Sequence, residues 1–236
     1  MKKTILDDGF QSYLTEGAVL TGDAGIPMLM NLHNAQVPID IVPFEKARKE
    51  KDKRKWYDFI GSFVFYTGER KMTVYLPEDV YYAITVKSDT GDIGVYSIPV
   101  DGNIKLTTDT GDVTIFNLTC EDVVVDVDTG DVDIDTVRCN NIKTRTDTGD
   151  IVLTDMIAKG DLNIDTDTGD VIFKDIDAAT IVARTDTGDI EGTILSDKVF
   201  VAKADTGDVK VPETLTGGAC KLTTDTGDIT IKYTLK

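Results

Sequence analysis

The sequence predicts an all-β fold: a single-stranded parallel β-solenoid of eight regular coils and one degenerate coil, after a small mixed N-terminal segment containing a helix. Two observations predict the solenoid. The tetrapeptide Asp-Thr-Gly-Asp occurs eight times at steps of 19 or 20 residues, and apolar and polar residues alternate around each copy. A fixed short period is typical of repeat proteins, whose units bury their inner faces only against their neighbours.

The third repeat, from Val123 to Asn141, shows how each coil is expected to be built. Apolar residues alternate with others up to the tetrapeptide and resume after it at Val132 and Ile134. Alternation of period two indicates strands with one buried face. We therefore expect each unit to consist of short strands that bend at Thr-Gly-Asp. Successive units would stack in parallel register about 4.8 Å apart.

The corner residues have a structural explanation. Glycine reaches positive φ at little cost and permits the bend, while aspartate accepts hydrogen bonds from amides that a bend leaves unpaired. Stacking also brings like carboxylates about 5 Å apart, where each pair repels by about 1 kcal/mol in water and more at a protein surface. The aspartates of these two ladders are Asp89, Asp92, Asp109, Asp112, Asp128, Asp131, Asp147, Asp150, Asp167, Asp170, Asp186, Asp189, Asp205, Asp208, Asp225 and Asp228.

Three factors are expected to offset this repulsion: backbone amide donors, basic neighbours and a bound cation. The basic neighbours precede the first aspartate of a corner by two residues, at Lys87, Arg145, Arg184 and Lys203. Asp126 and Asp165 occupy the same position in other coils, so we expect this compensation to be incomplete. Carboxylate oxygens suit calcium, although the spacing matches neither an EF-hand nor the nonapeptide calcium repeat. Turn structure is the favoured role of these aspartates, and calcium binding stays open.

Catalytic patterns are weak. Asp-Thr-Gly is the motif of aspartic proteases, but their mechanism needs two carboxylates sharing one proton, not eight copies at a fixed period. His33 is the sole histidine and has no cysteine beside it, which disfavours a metal site. The constant period leaves no room for the long loops that wall active sites on β-helices. We therefore expect no enzyme, and no catalytic, cofactor-binding or metal residues.

Charge and cysteine content restrict the partners and the compartment. Residues 81–236 contain 14 basic and 30 acidic side chains, so nucleic acid is not expected to bind there. An odd cysteine count of three argues against a disulfide framework, and Cys120 and Cys139 should stack inside adjacent coils. The start MKKTILDD lacks the apolar region of a signal peptide, and no run is long enough for a membrane helix. These features predict a cytoplasmic protein.

The two predicted domains are residues 1–62, a cap or partner-binding piece, and the solenoid of residues 63–236. Pro43 and the helix formers after it predict a helix from about Phe44 to Tyr57. Its basic stretch from Lys46 to Lys55 is explained by a solvated helix face, or alternatively by contact with an acidic solenoid. The degenerate coil has Thr67-Gly68-Glu69 in place of Thr-Gly-Asp.

Tandem coils of the form apolar-x-apolar-x-T-D-T-G-D-[IV], opened by MTVYLP at Met72 to Pro77, carry a family resemblance. From about residue 63 onwards, the chain resembles a bacterial adhesin-like family of unknown function, domain of unknown function 4097. The resemblance implies a β-solenoid and an association with the cell surface. The N-terminal stretches resemble, over a short length, another uncharacterised bacterial and phage family.

The expected function is a non-enzymatic interaction, adhesin-like or scaffolding module that acts through its acidic ladders on a protein or glycan ligand. The alternative is a calcium-dependent carbohydrate-binding or carbohydrate-active β-helix. The last coil ends in TIKYTLK and would leave a parallel edge guarded only by Lys232 and Lys236. We therefore expect a homo-oligomer through this edge or the N-terminal segment, or cover of the edge by another part of the protein.

Overall fold

The computed structural model describes residues 3–4, 14–21, 28–35, 39–43, 72–76, 81–98 and 100–234. These residues form a parallel β-solenoid, as the repeats predict, and contain no helix. The predicted helix from Phe44 to Tyr57 and the predicted corner at Thr67 to Glu69 lie outside the described residues.

The described residues form twenty strands connected in one sheet system. The strands are β1 (Lys3–Thr4), β2 (Leu14–Thr21), β3 (Met28–Ala35), β4 (Ile39–Pro43), β5 (Met72–Leu76), β6 (Tyr81–Thr90), β7 (Ile93–Tyr96), β8 (Val100–Thr110), β9 (Val113–Thr119), β10 (Asp122–Thr129), β11 (Val132–Cys139), β12 (Asn141–Thr148), β13 (Ile151–Thr154), β14 (Ile157–Thr168), β15 (Val171–Thr187), β16 (Ile190–Ile194), β17 (Lys198–Thr206), β18 (Val209–Lys210), β19 (Gly218–Thr226) and β20 (Ile229–Tyr233).

The eight corners divide the solenoid into coils, which we number one to eight in chain order. The corner glycines all have positive φ, between 119° and 150°. They are Gly91, Gly111, Gly130, Gly149, Gly169, Gly188, Gly207 and Gly227. Seven coils have a full strand after the corner, whereas coil seven continues only as the two-residue strand β18. The solenoid therefore makes about seven complete turns rather than the eight regular coils expected.

Each coil packs its alternate apolar residues into one continuous core. Buried threonines join this core at the position before the first aspartate, where their hydroxyls reach a glycine carbonyl of the adjacent coil. The Thr146 hydroxyl donates to the Gly130 carbonyl at 3.0 Å, and Thr185 donates to Gly169 at the same distance. Cys120 and Cys139 are buried free thiols, as expected. The threonines allow the bend to be buried without leaving its carbonyl unpaired.

The order of the last two coils is reversed relative to the chain. Strand β19 of coil eight pairs with β15 of coil six on one side and with β17 of coil seven on the other. Strand β20 likewise lies between β16 and β18. The edge that the sequence predicts to be bare, along the last coil, is therefore covered by coil seven of the same chain, and β17 with β18 forms the end of the stack.

The chain crosses itself where this reversal begins. The backbone of residues 197–198 lies against the backbone of residues 217–218. A Cβ added to Gly217 would lie 1.8 Å from the Asp197 carbonyl oxygen. A Cβ on Gly218 would lie 2.0 Å from the Ala179 carbonyl oxygen. The Gly-Gly pair is therefore required because two backbone segments pass in contact at the crossing.

Chain order is also broken at the other end of the solenoid. Strands β3 and β4 pair in parallel with β6 and β7 of coil one, so residues 28–35 and 39–43 add a layer to the stack. Strand β5 pairs with β4. The described strand of the degenerate coil, β5, is therefore separated from coil one by β4. The division into domains at residue 62 stays a prediction.

A second corner, which the sequence did not predict, follows the first by six residues in coils one to five. Its residues are not glycine yet have positive φ of 42° to 58°. They are Ser97, Asn117, Thr136, Asp155 and Asp175. Left-handed backbone is uncommon for non-glycine residues and strained for a β-branched one such as threonine. The second corner therefore stores local strain.

We expect Gly149→Val to destabilise the protein by several kcal/mol, because a Cβ at this position would lie 2.1 Å from the Gly130 carbonyl oxygen and φ is +146°. Asp150→Asn, one residue away, should cost far less because the amide oxygen can still accept a hydrogen bond. Urea melts of both variants measure this. Equal losses would contradict the geometric role of the glycine.

We expect Thr136→Gly to raise the free energy of unfolding by about 0.5–1 kcal/mol, because it relieves left-handed strain at φ 55°. The matched control is Thr114→Gly, which lies within strand β9 and should destabilise the protein by about 1 kcal/mol. Thermal and urea melts report both changes. Loss of stability in both variants would show that the second corner is not strained.

Candidate functional site: the aspartate corners

The second aspartate of each corner joins one coil to the next. In coils two and three, the amide N of Asp131 donates to the Asp112 carboxylate at 2.9 Å, and the contact recurs along the whole stack. The donor–acceptor pairs are Asp112–Asp92, Asp131–Asp112, Asp150–Asp131, Asp170–Asp150, Asp189–Asp170, Asp228–Asp189 and Asp208–Asp228, at 2.7–3.0 Å. We call these residues the second-aspartate row.

This ladder explains one of the two aspartates in each corner, namely the second. The sequence predicted that each carboxylate accepts from an amide of its own turn, but the amide belongs to the equivalent aspartate of the adjacent coil. A carboxylate acceptor makes a shorter and stronger hydrogen bond than a neutral one. Each bond is therefore an attraction between coils that offsets the repulsion within the same row.

The first aspartate of each corner has a different environment. Three members have basic partners: Asp147 lies 2.7 Å from Arg145, Asp186 lies 2.5 Å from Arg184, and Asp205 contacts Lys203. Four exposed members make no hydrogen bond or ion pair through their carboxylates to any described residue, namely Asp109, Asp128, Asp167 and Asp225. We call all eight the first-aspartate row. The pKa of Lys203 is raised by its hydrogen bond to Asp205 and, to a smaller extent, by the charge of Asp225.

The residues two positions before the first-aspartate row offset the repulsion between stacked carboxylates more fully than the sequence suggested. Asp126, Arg145, Asp165 and Arg184 lie in register on successive coils, so opposite charges alternate. The Arg145 guanidinium lies 3.9 Å from the Asp165 carboxylate, and Arg184 lies 3.8 Å from it on the other side. The two aspartates that looked like gaps in the compensation are thus neighbours of arginines. These side chains are half-exposed, so each pair contributes little alone.

Another polar ladder, missed in the sequence, lies six residues before the corner. The Asn141 side chain donates to the Asp122 carboxylate at 2.8 Å and accepts from the Asp161 amide at 2.9 Å. Asn103 accepts from the Asp122 amide at 3.2 Å. The detectable signal was the alternation of Asn and Asp at one repeat position. This ladder strengthens the contacts between coils two to five.

The corner aspartates do not form a metal site by themselves. Among the described residues, no three Asp, Glu, His or Cys side chains are grouped closely enough to hold a metal ion. The second-aspartate row already accepts backbone hydrogen bonds, and the first-aspartate row runs in single file along the stack. His33 lies in β3 opposite Glu16.

An open groove of about 650 Å³ lies at the chain crossing and holds a polar cluster. The Lys198 ammonium is buried and lies 2.6 Å from the Asp177 carboxylate and 2.5 Å from the Ser196 hydroxyl. Ser196 also donates to Asp177 at 2.8 Å. The Lys198 side chain therefore has both a carboxylate and a hydroxyl as hydrogen-bond partners within the cluster. The cluster neutralises a buried charge at the crossing.

The three thiols are buried and have raised pKa values. Burial raises the pKa of Cys120, Cys139 and Cys220 to about 12. Asp122 adds to the shift at Cys120 and Cys139 through its negative charge. The thiolate is the reactive form, so these cysteines are core residues and not nucleophiles.

We expect Asp170→Ala to destabilise the protein by about 1 kcal/mol, because it removes the carboxylate that accepts the Asp189 amide hydrogen bond at 2.8 Å. Asp167→Ala, in the same corner, should leave stability unchanged or raise it slightly, since it removes only repulsion between like charges. Urea melts of the two variants give the comparison. A larger loss for Asp167→Ala would show that the first-aspartate row is structural.

Comparison with known proteins identifies a family. No helix in the part of the chain that the structure describes is long and apolar enough to cross a membrane. Neither a curated protein nor a solved structure matches the chain. The model of the Toastrack family DUF4097 matches residues 49–163 and 137–236, which together span the corners and most of the chain. The chain belongs to the Toastrack DUF4097 family, whose function is unknown.

Proposed function

We propose that this protein is a non-enzymatic interaction or scaffolding module, adhesin-like in type, that binds a cationic surface of a partner through the first-aspartate row. The observation that carries the proposal is the unpaired state of Asp109, Asp128, Asp167 and Asp225 within the described residues, although carboxylates stand above and below each of them. Repulsion of this kind is a cost to folding, and a bound cationic partner would remove it.

The geometry defines the kind of partner. Carboxylates repeat about every 4.8 Å along a straight edge of the solenoid, which is the spacing of neighbouring strands. Such a row suits a basic segment, because the long, flexible side chains of lysine and arginine can adjust to carboxylates at this spacing. A protein ligand with a basic segment is therefore favoured over a neutral glycan. The basic sequence from Lys46 to Lys55 in this chain is one segment of that chemistry.

A non-enzymatic role agrees with the chemistry of the groove at the crossing. Lys198, Asp177 and Ser196 satisfy one another, so no group there is poised to accept a proton from a substrate. The second-aspartate row is occupied by backbone amides. Binding is the remaining chemistry for which the exposed row is suited.

The test measures binding of poly-lysine, and of a peptide with the sequence of residues 44–57, to the full chain at increasing salt. We expect the variant carrying Asp109→Asn, Asp128→Asn, Asp167→Asn and Asp225→Asn to bind at least about 10-fold more weakly, because counter-charges are lost. The control variant neutralises four exposed acids outside the corners, Asp101, Glu121, Glu191 and Glu213, with the same change in net charge. Equal weakening in both variants would reduce the effect to net charge and overturn the proposal.

Thermal melts of the same proteins distinguish the proposed function from the alternative, a calcium-dependent carbohydrate-binding or carbohydrate-active β-helix. If the row serves only cationic partners, calcium should raise the melting temperature no more than sodium chloride at equal ionic strength. A ligand bound only by the folded state stabilises it by RT ln(1 + [L]/Kd), so metal sites would give a calcium-specific rise. A calcium-specific rise of about ten degrees in the melting temperature would contradict the proposal and favour the calcium-dependent alternative.

A further inference from the structure

The reversed order of the last two coils leaves an open core at the end of the solenoid. The inner residues of coil seven, including Phe200, Ala202 and Ala204, are only partly buried. In coil eight, directly beneath, Cys220 and Leu222 are at most 2% exposed. Val209 is 41% exposed, whereas Ile229 below it is fully buried. Apolar surface of this kind is costly to leave in water.

Strand β17 pairs with β19 along one edge and has an unpaired backbone along its other edge, within the described residues. The Thr206 carbonyl accepts from the Gly227 amide, so it points towards coil eight. Backbone groups of successive residues in a strand point to opposite edges. Val199, Val201, Lys203 and Asp205 therefore direct their N–H and C=O groups to the free edge. No described strand pairs with that edge, which is a template for another strand.

This end is the part of an acidic molecule that another copy can approach. Residues 198–217 contain three lysines and three acidic residues, whereas residues 81–236 as a whole have 14 basic and 30 acidic side chains. Lys203 is paired with Asp205, and Lys210 lies 3.2 Å from Asp208. The outward residues Val199 and Val201 are 39% and 64% exposed. A neutral, partly apolar end avoids the repulsion that any lateral contact between two copies would create.

Internal segments of this chain are poorly placed to cover the end. Residues 44–71 leave from β4 and return at β5, which are adjacent strands at the opposite end of the stack. Eight coils span about 35–40 Å, so a loop to the open end and back needs about 70–80 Å of chain. A span of 28 residues provides about 92 Å when fully extended and leaves almost none to form a cover.

We propose that two copies of this chain associate end to end, with the β17 strands pairing antiparallel across a two-fold axis. A two-fold contact places the same patch of both copies face to face, and identical strands then run in opposite directions. The free N–H and C=O groups of β17 pair with their equivalents, and each open core covers the other. This contact goes beyond the proposed function, because it uses the backbone edge of β17 and leaves the four unpaired aspartates of the first-aspartate row, Asp109, Asp128, Asp167 and Asp225, outside the paired strand.

The test compares Val201→Pro with Val201→Thr in the full chain by light scattering and analytical ultracentrifugation. Proline removes one free-edge N–H while preserving the contacts of β17 with β19, and threonine retains that N–H. We expect the wild type and Val201→Thr to have about twice the 25.8 kDa chain mass at about 100 μM. Val201→Pro should dissociate at least about 10-fold more readily.

A second variant covers the case in which proline disturbs coil seven. Val201→Glu keeps the backbone donor but adds a carboxylate to each side of the contact, so it too should weaken the dimer at least about 10-fold. Thermal melts show whether each variant is folded. The variant with four neutral aspartates in the first-aspartate row should remain dimeric, which separates this proposal from the proposed function. A monomeric wild type, or a folded Val201→Pro or Val201→Glu that stays dimeric, would overturn the inference.

Discussion

The polar groups at the corner of each coil find their hydrogen-bond partners in the adjacent coil. The rest of the structure depends on this requirement for a neighbour. The amide of one second-row aspartate has its acceptor in the adjacent coil, as Asp150 N has in the Asp131 carboxylate at 2.8 Å. The buried threonines and the corner glycines meet their partners across the same gap. No coil is satisfied alone, so stability grows with the number of contacts between neighbours.

The same requirement explains why both ends depart from chain order. A coil at the end of a stack has one edge whose backbone N–H and C=O groups are unpaired. Adding another coil in chain order would only transfer that unpaired edge to the new coil. At one end coil seven covers coil eight, and at the other β4 lies between β5 and coil one. Coil seven is suited to the end because small residues such as Ala202 and Ala204 leave less apolar surface exposed than Leu222 would.

The two aspartates of a corner differ in their contacts. Asp170 holds the amide of Asp189, while Asp167, three residues earlier, has no partner within the described residues. Unpaired like charges on four of the eight coils lower stability, so stability alone does not explain them. This contrast supports the proposed binding role for the first-aspartate row and separates it from the end with balanced charge that we propose to join two copies.

The sequence by itself determined the parallel solenoid, the corner at Thr-Gly-Asp and the buried positions of Cys120 and Cys139, because period and alternation act locally and repeat in every coil. Tertiary structure decided the partner of each carboxylate, the second corner at residues such as Thr136, and the order of coils seven and eight. Coils with the same corner can stack on any neighbour with equal hydrogen bonding. Among the described residues, the crossing at Gly217 and the burial of Lys198 against Asp177 favour the observed order, and these are contacts between distant residues that no local pattern contains.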